Sequence, residues 1–584
     1  MKKKGKLITI TSIFMIVVIG VGSVLLYQKS KKINEAQQQR QEEELDIFLE
    51  GEEKEVFDER EVTDLKLEMG EDQVASVYNP QISQLREQDV KKKKKKNLYD
   101  FENPLWEWNL YGTNHLSLYT YFKTTQPVYI RYTIQVEDAP IPNFTRTLCT
   151  QDGQVTREHE YQLIGFVPGM ENLLIMQMYD ENDKLLNRKV FSIEVPALQS
   201  KAQVKLPVTS GRSEEQISNG LYTVFGKKEI LLYDNSGVLR SEIPLKQSSV
   251  QSLLLEENAL YYAIDAHRIV KIGALGQVLQ VYDLPGYELY GEMSYNGYGD
   301  LWLLASEKGK KSHSVKDTML ALSLKDKKVS KLFCMEQLLP KMEKKAKKQN
   351  KKNSLDWIDL TGFAQINSDE VLVSSRELSS MIKIVNINSR LPRISFIIGE
   401  KEIWEGTPYK KKLLKKEGQE ELDAEQASAQ EESVLELGAA KQVFYVPFGP
   451  SWLEKTTDDS LSEGQYYITV WDSNYGDSPS RKDLKWGTYH GVGTRKKEAR
   501  FSYIQKYLVD ENTGLYNLAD TEKVTYTKTN GSSQNYAGHE VNNFGCHKEF
   551  GEYDPQGQLI RKFSHKQKQI SRVEKKDYKG FWFE

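Results

Sequence analysis

Cysteine is scarce: Cys149, Cys334 and Cys546 are the only three in 584 residues. Three thiols cannot build a disulfide framework, and no C-x-x-C pair suggests zinc or redox chemistry, which leaves core packing and at most one disulfide. Charge of one sign is lacking as well. Lys and Arg number 80 against 83 Asp and Glu, a formal net charge of -3. No whole-chain field exists to hold nucleic acid, so acidic or basic function has to be local. Against these shortages stand 32 Tyr, 20 Phe and 9 Trp with 38 Gly. Aromatic side chains pack well on pleated surfaces, so the chain reads as mostly strands with few helices. Its length exceeds one compact core and implies two or more domains.

Residues 7–27 (LITITSIFMIVVIGVGSVLLY) carry no charge, and as a helix they would span ~30 Å, the thickness of a bilayer's hydrocarbon core. No convincing small-x-small cleavage site follows, so a retained signal anchor is favoured over a cleaved peptide. Four lysines before the segment and three after it leave the positive-inside bias slight. The short N-terminus, residues 1–6, and the large C-terminal body favour a cytoplasmic N-terminus with the body outside the cell membrane. Residues 28–97 are polar and highly charged, ending in six lysines from Lys91 to Lys96. That composition reads as a solvated stalk, or alternatively as a patch touching anionic lipid.

Beyond the stalk, Asn114 to Val136 alternates apolar and polar residues around Thr-Thr-Gln-Pro and reads as a hairpin. Further strands are expected at Glu160–Val167, at Asn172–Tyr179 and up to Val195. Residues 98–200 thus read as a small β-sandwich. From Gly220 onward a strand–turn–strand unit recurs, as in ILLYDNSGVLRSEIPL, IVKIGALGQVLQVYDLP, MLALSLKDKKVSKLF, IKIVNINSRLPRISFIIG and FGEYDPQGQLIRKFS. Stacked units of this kind suggest propeller blades over residues 215–584. Polar, helix-prone insertions at Lys341–Asn353 and Lys415–Ser433 explain the uneven spacing, either as solvated loops or as interaction surfaces. The closing GFWF, Gly580–Phe583, reads as the last strand closing the ring.

Several long segments, in order, resemble the bacterial arylsulfotransferases (aryl-sulfate sulfotransferases) in their membrane-anchored form. They include LYGTNHLSLYTYF, HEYQLIGFVPGMEN, PGYELYGEMSYNGYGDLWLLAS, DWIDLTGF and VLVSSRELSSMIKI. The resemblance implies an all-β protein, an N-terminal β-sandwich followed by a six-bladed propeller with its site at the central channel. It also implies transfer of a sulfuryl group from a phenolic sulfate ester to a phenol, without PAPS, metal or other cofactor. In that chemistry an imidazole nitrogen carries the sulfuryl group, because neutral imidazole is both a nucleophile and a good leaving group. Cationic or hydrogen-bonding groups hold the sulfonate oxygens.

The resemblance places Arg376 where the family holds sulfate, but not the three histidines. Asp359 in DWIDL and Gly291 in ELYGEM stand at two histidine positions, and Lys441 in GAAKQVFYV aligns with the nucleophile. Lysine is no substitute: the ammonium has no lone pair, and a sulfamate formed on the amine would leave poorly. Of the eight histidines, only His490 is a candidate to reach the channel. Asn474, Tyr475 and Arg481 resemble the family stretch after the nucleophile strand, though a blade-connecting loop reads equally well. Three readings follow: a working aryl-sulfate sulfotransferase, a pseudoenzyme propeller outside the membrane that binds an anionic or aromatic ligand or a protein partner, and a structural surface propeller. The replaced histidines favour the second. Oligomeric state, including a homodimer, stays open.

Overall fold

The computed structural model describes residues 62–67, 74–137, 139–150, 155–198, 200–347, 354–417, 446–489, 491–566 and 570–584. The expected membrane helix 7–27 and the start of the stalk lie outside these residues. Among the described residues no helix is long and apolar enough to cross a membrane. Asp64–Glu584 forms one compact unit.

The N-terminal domain is a β-sandwich built around one 19-residue strand, Ser117–Gln135. Residues 117–123 of this strand pair with Thr156–Ile164, and residues 129–135 pair with Glu171–Tyr179. The strand therefore passes from one sheet to the other. The expected hairpin at Thr-Thr-Gln-Pro is in fact this corner: the register breaks between Lys123 and Val128, and the Thr124 hydroxyl donates to the Gln126 carbonyl at 2.8 Å. Proline, which cannot donate to a ladder, sits in the break rather than in a paired stretch.

The six-lysine run is not a free stalk in its described part. Pro80–Lys96 is a 17-residue helix capped by the Asn79 side chain, which accepts from the Gln81 N–H. Val90 is buried with Leu105, Tyr119 and Tyr121, and the Val278 N–H donates to Ser83 at 2.9 Å. Lys94 lies 4.1 Å from the Tyr121 ring centre and 2.5 Å from Glu160, while Lys93 pairs with Glu107. Partners of opposite charge offset the self-repulsion that suggested an extended chain.

Six four-stranded antiparallel blades follow, two of them with an added edge strand. Blade 1 holds Leu221–Phe225, Glu229–Tyr233 and Leu239–Pro244, and its innermost strand is Val573–Lys576 from the C-terminus. Blades 2 to 6 begin with inner strands Leu254–Glu256, Tyr287–Tyr295, Leu360–Asn367, Pro450–Thr456 and Gly531–Tyr536. The five recognised repeats are the outer hairpins of blades 1, 2, 3, 4 and 6.

Ring closure is made by Val573–Lys576 and not by GFWF. That tail forms a turn between sandwich and propeller instead: Phe583 meets Phe144 of the sandwich edge-on at 6.1 Å, and the Trp582 indole donates to the carbonyl of Ala274, in a turn of blade 2, at 3.2 Å. Beside the closure, Lys575 and Glu552 form a fully buried pair at 2.6 Å. Glu552 also accepts from Tyr222 at 2.5 Å and from the Ser218 N–H at 2.8 Å, and contacts His539 at 2.8 Å.

Candidate functional site

All six blades contribute to a cavity of about 270 Å³ at one end of the central channel. Blade 3 supplies Tyr290, Gly291 and Glu292 from its inner strand and Lys316 from a loop. Blade 4 supplies Asp359 to Thr361 and Arg376. Opposite stand Ser451 and Trp452 of blade 5, Thr529 to Ser532 leading into blade 6, and Arg572 just before the closing strand. The sequence candidates Gly291, Asp359 and Arg376 are therefore brought together. Lys441 and His490 lie outside the described residues, and no histidine lines the cavity among the residues that are described.

Gly291 occupies an irregularity in its strand, where the register breaks between Leu289 and Met293. Its φ of +64° lies in the left-handed region, and a Cβ there would meet only Leu304, at 3.6 Å. The position thus has room for a side chain but a backbone that favours glycine. Its N–H donates to the Ser249 carbonyl at 3.0 Å, and its carbonyl accepts from Gln251 at 2.7 Å. Asp359 also has a positive φ, 45°, a conformation in which Asp, Asn and His are all over-represented.

The charges in the cavity pair with one another. Lys316 Nζ lies 2.8 Å from Asp359 and 2.8 Å from Asp356. Burial works against the ammonium, but the two carboxylates outweigh it and hold the lysine charged above its ordinary range. Burial, and then the charge of Asp359, push Asp356 up to about 6. Arg376 stands 4.0 Å from Asp359, 5.7 Å from the Tyr475 ring centre and 3.4 Å from the Lys528 carbonyl. Behind it Glu377 is raised to about 9 by burial and by the charges of Asp356, Asp359 and Asp477.

Across the channel Arg572 bridges Glu292 and Glu574, each at 3.0 Å. This links the inner strands of blades 3 and 1, which are not neighbours. Burial raises the Glu292 carboxyl despite the guanidinium. Asp356 and Tyr290 lie inside the DWIDL and ELYGEM segments beside the positions that the resemblance marks, whereas Lys316 and Arg572 belong to no motif and meet their partners from distant parts of the sequence.

The remaining candidates have other partners. Asn474 donates to the Gly491 and Phe501 carbonyls at 3.2 and 2.9 Å, which ties a loop together. Tyr475 lies under Arg376, and its hydroxyl donates to Asp477 at 3.2 Å. Arg481 is buried and pairs with Asp483 at 2.7 Å. Among the described residues, the one cluster with metal-ligand types is Asp317, Cys334 and Glu336. The Lys310 ammonium occupies its centre, 2.7 Å from Asp317 and 3.0 Å from Cys334.

A sandwich leading into a six-bladed propeller, with a polar cavity at the channel end, defines the class. Residues 208–579 match the family model described as arylsulfotransferase (ASST), and residues 105–196 match the arylsulfotransferase Ig-like domain. The chain belongs to the arylsulfotransferase family. No curated protein sequence matches it. Among solved structures it is similar to a functionally unknown protein from Desulfotomaculum acetoxidans, at 6% identity and a TM-score of 0.31 over 69% of this chain and 95% of that one. It is also similar to an auxiliary nutrient binding protein from Bacteroides thetaiotaomicron, at 8% identity and a TM-score of 0.28 over 78% and 86%. A third is a streptogramin B lyase, at 10% identity and a TM-score of 0.27 over 63% and 90%.

Proposed function

We propose that this chain is a degenerate arylsulfotransferase, a propeller held outside the membrane by residues 7–27 that binds small aromatic sulfate esters in its channel without the histidine chemistry of its family. The observation that carries this reading is the pairing of Asp359 with Lys316 at 2.8 Å, at a position where the family resemblance implies an imidazole. A carboxylate there neither attacks sulfur usefully nor welcomes a sulfonate. With Gly291 at a second histidine position, the known route to a sulfated imidazole lacks its groups.

Binding remains supported. Arg376 has about a quarter of its side chain exposed, 26%, and can donate to sulfonate oxygens. Trp452 and Tyr290 offer aromatic surface in the same cavity. The test is titration calorimetry of the purified full-length chain with p-nitrophenyl sulfate. Saturable binding that disappears in Arg376→Ala is expected. Heat changes no larger than those of dilution would end the proposal.

A further inference from the structure

Tyr290 precedes Gly291 on the inner strand of blade 3 and lines the same cavity as Arg376, Lys316 and Asp359. Its hydroxyl is buried and has no hydrogen-bond partner among the described residues. Buried polar groups are nearly always satisfied, so an orphaned phenol at the wall of a ligand cavity calls for a reason. A phenol is also the kind of acceptor to which a sulfuryl group can pass from another phenol.

We propose that Tyr290 is itself a sulfuryl acceptor: an aryl sulfate bound in the cavity sulfates its phenolic oxygen, leaving a tyrosine O-sulfate. The inference rests on the reading that the cavity takes aryl sulfates. In the step, the Tyr290 oxygen attacks sulfur and a new S–O bond forms while the S–O bond to the departing phenol breaks. The electron pair of the broken bond leaves with the departing oxygen. The Tyr290 proton passes to the departing phenolic oxygen, which leaves as the neutral phenol. Nothing is oxidised or reduced, and no co-reactant is needed.

The surroundings suit such a step. Arg376 lines the same cavity and can hold sulfonate oxygens during transfer, while Lys316 offsets the charges of Asp356 and Asp359. Burial first, and then the charges of Asp359, Asp317 and Asp356, keep the Tyr290 phenol protonated at rest. The attack therefore needs a base, which the departing phenolic oxygen supplies as its S–O bond breaks. An activated donor such as p-nitrophenyl sulfate expels a more acidic phenol than tyrosine, so transfer to Tyr290 runs downhill, the modified tyrosine holds its sulfate and the event occurs once per chain.

The experiment incubates the purified full-length chain with p-nitrophenyl sulfate and follows intact mass, then maps the modified peptide. A gain of one SO3 group per chain on the peptide containing Tyr290, with an equal amount of p-nitrophenol released and neither change in Tyr290→Phe, is the expected result. Tyr290→Phe removes only an unsatisfied hydroxyl, so its melting temperature should match that of the natural chain and show that the variant folds. Calorimetric binding of p-nitrophenyl sulfate without any gain in mass overturns the inference and leaves the binding proposal standing. A gain that persists in Tyr290→Phe overturns it as well. Absence of binding overturns both.

Discussion

Lys316 Nζ lies 2.8 Å from Asp359 and equally close to Asp356, so one cation of the cavity is committed to two carboxylates. An arriving sulfate would have to compete with both. Asp359→Asn removes half of that competition and also releases Arg376, 4.0 Å away. Removing a like charge next to a bound anion is worth about 1 kcal/mol in a partly solvated site. Affinity for p-nitrophenyl sulfate should therefore rise about fivefold. Calorimetry on the variant and the natural chain checks this, and weaker binding in Asp359→Asn would contradict the assignment.

The same cluster makes binding depend on pH. Asp356 has its value raised to about 6, so it is charged above that pH and neutral below it. Facing it are Asp359, Lys316, Arg376 and Glu377, and the last, raised to about 9, is already neutral at pH 7. Protonating Asp356 therefore shifts the cluster toward positive charge. Affinity for an aryl sulfate should strengthen as pH falls from 7 to 5, and Asp356→Asn should flatten that rise.

The propeller's closure gives a stability prediction. Burial opposes ionisation of Glu552, but the Lys575 ammonium and the hydrogen bonds from Tyr222 and Ser218 outweigh it and hold the carboxyl at about 2, below its ordinary 4.5. A depressed carboxyl stabilises the fold above 4.5, and that contribution is lost as pH falls toward 2. Glu552→Gln leaves Lys575 buried without its counter-charge and should lower stability by about 3–5 kcal/mol at neutral pH. Denaturant unfolding from pH 7 down to 3 should also show a smaller acid-induced loss in the variant.

The helix before the sandwich is part of the folded unit. Tyr78 donates to the Pro244 carbonyl at 2.5 Å and lies 3.1 Å from the Tyr262 hydroxyl, while Ser83 accepts from Val278. A chain cut at Asn97 loses these partners and uncovers Leu105, Tyr119 and Tyr121. Its stability should fall by about 3 kcal/mol relative to a chain that starts at residue 62, as read by the urea midpoint. Equal midpoints would make the helix an appendage.

How much of this was legible in the sequence differs by element. Hairpins such as Ile230–Leu245 carry both period-2 alternation and a tight turn, so their physics is local and readable. Blade 5 is the exception because the second strand of its outer hairpin, Leu515–Thr525, is largely polar and exposed and lacks the apolar pattern of the repeat. Thr-Thr-Gln-Pro has turn chemistry, so the sequence predicts a hairpin within Ser117–Gln135, and only the second sheet reveals a corner. The lysine helix was hidden for a similar reason: Glu107 and Glu160, which offset its charge, are distant in sequence.

At the site, Gly291, Asp359 and Arg376 were found through family resemblance and do share one cavity. The ion pairs that set its electrostatics were not foreseeable, because Lys316 meets Asp356 and Asp359 only when blades 3 and 4 pack, and Arg572 meets Glu292 only once the ring closes. Restoring the histidines also looks different with the backbone known. Asp359→His suits its backbone, whereas Gly291→His enters a left-handed φ of +64° and should cost about 1–2 kcal/mol of stability.

The central claim is that the cavity has kept ligand binding and lost histidine-based turnover. It is tested most directly by following p-nitrophenol release from p-nitrophenyl sulfate, with phenol present as acceptor, using the full-length chain at known concentration. The account expects release to stop at or below one equivalent per chain. Continuous release over many equivalents, abolished in Arg376→Ala, would contradict it and show a working sulfotransferase.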